Sequence, residues 1–87
     1  MRAADPERVA RAVGRRVAEL RAARGWSQET FAEAIGVSIQ YLRRIELAHT
    51  NVTLAQLVKL ANGLRVPPKA LLEAPSSLVV RRGRPAR

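Results

Sequence analysis

The sequence contains no cysteine, a single histidine, and one residue each of tryptophan, tyrosine and phenylalanine. Without cysteine there are no disulfides and no thiolate metal sites, which fits a reducing cytoplasm. With one histidine, seven scattered acids and no glycine-rich phosphate loop, neither a metal centre nor a catalytic constellation can be assembled, so neither enzymatic activity nor a cofactor is expected. No stretch resembles a signal peptide, and no apolar run is long enough to span a bilayer. The scarcity of aromatic rings leaves the core to Val, Leu, Ile and Ala, which suits closely packed helices. Acids are scarce too: 16 Lys and Arg against seven Asp and Glu give a formal charge of +9 over 87 residues. That excess points to a polyanionic partner, either nucleic acid or an acidic membrane surface. A chain of this length is expected to form one domain and to bury only about 60 to 65% of its unfolded surface.

What is present reads as a series of helices. Asp5, Pro6 and Glu7 mark a start: Asp caps, Pro suits the first helical position, and an acid there complements the helix dipole. That helix is expected to reach Arg24, with Val9, Val13, Val17 and Leu20 as its buried stripe, Arg8, Arg11 and Arg15 off it, and Gly25 as its stop. A second helix is expected over Gln28 to Ile35 and a third from Ile39 to about Leu47. Thr53 caps a fourth, Leu54 to Asn62, with Gly63 as its end. A fifth follows Pro67, with Pro68 at its first position and Leu71 and Leu72 facing inward.

The stretch Ser27 to Glu46, SQETFAEAIGVSIQYLRRIE, organises the rest. Ser27 and Ser38 are placed to cap its two helices, and Gly36 supplies the positive φ that a sharp turn between them requires. Trp26 with Phe31, and Val37 with Leu42, have the spacing of hydrophobic staples, as have Val52 with Leu57 ahead of the fourth helix. At about 100° per residue, Leu42 and Ile45 share one side of the third helix, flanked by Tyr41. Gln40, Arg43, Arg44 and Leu47 share the other.

This segment resembles the helix-turn-helix of the Cro and phage-repressor (XRE-like) family of transcription regulators. The matching residues are Gln28, Ala32, Gly36, Leu42 and Ile45, and the resemblance covers roughly residues 13 to 74. It implies an all-α fold, a compact five-helix bundle of the lambda-repressor type over residues 1–74, acting on double-stranded DNA in the cytoplasm, at the nucleoid. The base-contacting positions of the family fall on Ile39, Gln40, Arg43 and Arg44. Gln40 could pair with adenine, Arg44 with guanine, and Ile39 could meet a thymine methyl, while Arg43 takes a base or a phosphate. Gln28 matches the family residue that holds the DNA backbone, and Ser38, His49, Thr50 and Asn51 join it as phosphate-contact candidates. Arg21 and Glu46 match a structural salt bridge of the family. Leu47 and Ala48 depart from the polar residue and glycine usual there, so the third helix is expected to run on.

One recognition helix reads few base pairs, so the resemblance also implies a homodimer on a roughly palindromic operator. Its expected pairing surface is the last helix, with Val66, Leu71 and Leu72, and Leu78 to Val80 beyond it. An alternative is an antitoxin-like module that masks a protein partner while also binding its own operator. A membrane-surface role ranks below both, since the charge is not gathered opposite large apolar residues on one helix.

Residues 75–87, PSSLVVRRGRPAR, hold four arginines and no acid and carry +4 of the charge, the reading of a flexible basic tail. Within it Arg82, Gly83, Arg84 and Pro85 resemble the core of an AT-hook, a motif for the minor groove of A·T-rich DNA.

Overall fold

The helices begin where side-chain oxygens can satisfy amides that have no partner within the helix. The computed structural model describes residues 5–75. In it the Asp5 carboxylate accepts from the Glu7 amide at 3.0 Å, Ser27 from Thr30 at 3.0 Å, Ser38 from Tyr41 at 3.0 Å, and Thr53 from Gln56 at 3.1 Å. These caps open α1 (Pro6–Ala23), α2 (Gln28–Ile35), α3 (Ile39–Glu46) and α4 (Leu54–Leu64). A short 3-10 helix, Pro68–Leu72, closes the series, and no strand occurs among the described residues.

Val13, Val17, Phe31, Leu42, Ile45, Leu60, Leu64 and Leu71 form one buried cluster that draws on every element. Burying side chains of this size contributes about 1.5 to 3 kcal/mol apiece. The rings of Trp26 and Phe31 meet at 5.4 Å between centroids, tilted by 42°, and pin the entry to α2. No helix among the described residues is long and apolar enough to cross a membrane.

Several local expectations gave way to packing. The closing element is 3-10 rather than α-helical: Pro67 caps it without a side-chain hydrogen bond, and the Ala70 amide reaches back three residues to the Pro67 carbonyl at 2.9 Å. Its Leu71 is wholly buried in the protein's own core, so it is not free for a pairing surface, whereas Leu72 points out and is 61% exposed. Helix α4 does not end at Gly63. A β-carbon at that position would overlap Ile35 and come within 3.0 Å of Phe31, so the glycine serves α2–α4 packing, and the stop falls at Arg65, with φ +61°.

On α1 the buried arc is wider than one apolar stripe and shifted from it, because the helix is covered by α3 and also by the closing 3-10 helix. Arg15 is therefore buried, while Val9, near the start of the helix, is 42% exposed. Nor does α3 run on past Glu46. Ala48 turns into the left-handed region, φ +61°, and its amide bonds to the Ile45 carbonyl at 3.0 Å while the His49 amide bonds to that of Arg44 at 2.7 Å. The Schellman closure normally built on glycine forms here on alanine, at a conformational cost of about 1 to 2 kcal/mol.

Residues 76–87 lie outside the described residues, and with them Leu78 to Val80 and Arg82, Gly83 and Arg84.

Candidate nucleic-acid interface

Helix α3 is held from below. Leu42 and Ile45 are essentially without exposed surface, and Ile39 packs partly against the same cluster. A rotation of about 100° per residue then sends Gln40, Arg43, Arg44 and Leu47 outward, and all four are exposed. The turn before it is fixed by Gly36, φ +77°, which ends α2 while the Gly36 and Val37 amides bond to the carbonyls of Glu33 and Ala32 at 3.2 and 3.0 Å. A β-carbon in that left-handed conformation would be strained, so glycine lets the chain turn at once into Ser38 and α3.

The far end of α3 is anchored to α1. Glu46 is 4% exposed and receives the Arg21 guanidinium bidentately, Nε to Oε2 at 2.7 Å and a terminal nitrogen to Oε1 at 3.1 Å. Arg21 also donates to the Trp26 carbonyl at 2.7 Å, so one side chain ties α1, the approach to α2 and the end of α3 together. A buried carboxylate needs this kind of satisfaction, since each bond to an ionised group is stronger than a neutral one and an unpaired buried charge is costly.

Gln28 extends the network outward. Its amide nitrogen donates to Glu46 Oε1 at 2.9 Å, and its amide oxygen accepts from Arg43 Nε at 3.3 Å. Arg44, one residue on, takes the opposite flank of the helix, where its guanidinium stands over the Tyr41 ring at 5.9 Å from the centroid.

Ser38 is exposed at the N-terminal end of α3 and spends its oxygen on the helix cap. His49 and Asn51 are exposed and Thr50 half-buried in the loop that leaves the C-terminal end, about 12 Å along the axis of an eight-residue helix. The structure thus gathers Gln28, Arg43, Glu46 and Arg21 into one bonded chain. The loop residues stand apart from it.

Two contributors escaped sequence reasoning. Gly14 lies where α1 crosses the last turn of α3: a β-carbon there would overlap the Ile45 carbonyl oxygen and come within 3.0 Å of that of Glu46. Its signal was an isolated glycine inside a strong helical pattern, which costs about 1 kcal/mol against alanine and so implies a packing reason. The other is the Gln28–Arg43 bond, for which residue types alone carried no signal.

This arrangement of helices is found in known proteins. The model of a family described as helix-turn-helix matches residues 17–71. The chain belongs to that helix-turn-helix family. Over 71 residues it is 41% identical to the HTH-type transcriptional regulator SutR of Escherichia coli (strain K12), an alignment that covers 82% of this chain. It spans 40% of the length of that regulator. Among solved structures, the restriction-modification controller protein C.AhdI from Aeromonas hydrophila shares 38% identity at a TM-score of 0.69, covering 74% of this chain and 96% of the controller. The hypothetical transcription factor NHTF from Neisseria shares 30% identity at a TM-score of 0.72, covering 86% of this chain and 87% of the other. In this helix-turn-helix protein the turn is Gly36, the first helix of the motif is α2 and the second is α3.

Proposed function

We propose that this helix-turn-helix protein is a sequence-specific regulator that binds double-stranded DNA as a homodimer, laying α3 in the major groove. The observation that carries the reading is the two-sidedness of α3. Its inner residues Leu42 and Ile45 are locked in the core, while Gln40, Arg43 and Arg44 stand exposed on a helix fixed at both ends. An α-helix fits the major groove, and side chains near its N-terminus reach base edges there. In this reading Ile39, Gln40 and Arg44 read bases, while the start of α2 at Gln28, together with Ser38, His49, Thr50 and Asn51, lies along the phosphates. The formal charge of +9 supports a polyanionic partner, and the regulatory and controller roles in the names of the related proteins support transcriptional control.

A second copy supplies a second half-site about 34 to 36 Å away, one turn of the duplex. Exposed Leu72 and half-buried Val66 offer apolar surface for that pairing, as do Leu54 and Val58 on the outside of α4.

Selection from a random duplex library, followed by titration of the selected duplex at several salt concentrations, tests the proposal. A two-fold symmetric motif is expected. A dimer making about 8 phosphate contacts should show a slope of log affinity against log salt near −7. No enriched motif, or an affinity indifferent to salt, would overturn it.

A further inference from the structure

Arg43 and Arg44 are adjacent, both exposed, and both offered as base readers by their place on α3, yet the structure treats them differently. Neighbours on a helix point about 100° apart, so the two guanidiniums leave α3 on opposite flanks. Arg43 leaves on the flank facing α2, where its Nε donates to Gln28 Oε1 at 3.3 Å. Arg44 leaves on the flank of Tyr41 and lies over that ring.

The orientation of the Gln28 carboxamide is not free. Its Nε2 lies 2.9 Å from Glu46 Oε1, and an ionised carboxylate only accepts, so the NH₂ group must face Glu46 and the oxygen must face Arg43. Glu46 is in turn fixed by the bidentate Arg21 and is almost fully buried. A rigid series therefore runs from the core to Arg43: Arg21, Glu46, Gln28, Arg43. Its charges matter as much as its geometry. Arg21 and Glu46 cancel, and Gln28 is neutral, so Arg43 retains its full positive charge at the start of α2. In a helix-turn-helix the helix before the recognition helix crosses the DNA backbone, and its start is where phosphates approach. The bond to Gln28 uses Nε and leaves the terminal nitrogens without a partner among the described residues, available for bidentate engagement of a phosphate.

Resting on the DNA-binding reading above, we infer that Arg43 is a phosphate-contacting residue, that Gln28 is the positioning residue that aims it, and that base reading by the arginine pair belongs to Arg44. The Gln28 side chain then acts through Arg43 rather than on the phosphate itself, because both of its polar atoms are engaged within the protein. Among the described residues Arg44 has no such tether, and its guanidinium lies over the Tyr41 face, on one side of the helix.

The test compares wild type, Arg43→Ala, Arg44→Ala, Gln28→Met and the Gln28→Met/Arg43→Ala pair, each by library selection and by salt titration on the wild-type operator. Arg43→Ala should return the wild-type motif, bind all sequences about 3- to 10-fold more weakly, and lower the salt slope by about 1 for each bound copy. Arg44→Ala should lose about 5- to 150-fold on the operator and relax the preference at one base pair of each half-site. Gln28→Met should repeat the Arg43→Ala pattern in weaker form, including the drop in slope, and the double variant should bind no worse than Arg43→Ala alone.

Loss of preference at a base pair in Arg43→Ala would overturn the assignment. So would an unchanged salt slope in Gln28→Met, the result expected if Gln28 serves the fold alone, or losses that add in the double variant. If Gln28→Met does not fold, the motif and slope of Arg43→Ala still decide the role of Arg43, an exposed position. A wild-type chain that selects no motif would instead overturn the DNA-binding reading, and the assignment with it.

Discussion

Gly14 on α1 faces the Ile45 carbonyl on α3 with no room for a β-carbon between them. Alanine at position 14 would improve intrinsic helix propensity by about 1 kcal/mol. The obstacle, however, is backbone rather than a flexible side-chain tip, so α1 and α3 must separate, and overpacking of this kind costs about 1 to 3 kcal/mol. The steric effect wins. Gly14→Ala is expected to melt lower than wild type and to lose DNA affinity beyond what its melting explains, since the displaced element is the recognition helix. A variant that melts higher would show that the two helices have slack.

For Arg21 and Glu46 the structure gives an order as well as a direction. Glu46 is 4% exposed and accepts only, so Arg21→Ala leaves a buried carboxylate with the neutral Gln28 amide as its one remaining side-chain partner among the described residues. Removing one member of such a pair costs about 3 to 5 kcal/mol. Glu46→Ala should cost less, because the Arg21 side chain is 15% exposed and keeps its bond to the Trp26 carbonyl. The double variant should cost less than the sum of the singles. Chemical denaturation of the four proteins checks this, and additive, small effects would contradict the pair's importance.

Ala48 occupies a left-handed conformation, φ +61°, that closes α3. Glycine there removes a steric cost of about 1 to 2 kcal/mol and adds about 0.5 to 1 kcal/mol of unfolded-chain entropy. Ala48→Gly should therefore stabilise the domain by about 0.5 to 1 kcal/mol, a rise in Tm of about 2 to 8 °C at this size. Calorimetry on the single variant measures it directly; a lower Tm would mean that strain at Ala48 is offset by contacts of its methyl group.

The arginines of the tail give a prediction on DNA alone. Deleting residues 81–87 removes four positive charges and should lower affinity and flatten the salt slope. If Arg82, Gly83 and Arg84 enter a minor groove, the loss should be larger for operators flanked by A·T tracts, whose narrow grooves attract arginine. Binding of full-length and truncated chains to A·T-flanked and G·C-flanked operators, at one salt concentration, distinguishes a groove contact from plain charge.

What the sequence by itself determined was local. Asp5, Ser27, Ser38 and Thr53 each cap within three residues of themselves, and Gly36 turns the chain through its own φ, so these features depend on near neighbours and were legible as written. The 3.6-residue period likewise placed Leu42 and Ile45 inward and Gln40, Arg43 and Arg44 outward. Tertiary structure decided what depends on elements far apart in the chain. Arg15 is buried because α1 is covered on two sides, and Gly63 is a helix interior because Ile35 and Phe31 press against it. Ala48 adopts a glycine's conformation where α3 closes, with its amide and that of His49 bonded back to the Ile45 and Arg44 carbonyls, although the residue type there gave no sign of it. The division of labour between Arg43 and Arg44 is of the same kind. Two identical neighbouring side chains differ only in what the fold sets beside them, Gln28 for one and Tyr41 for the other.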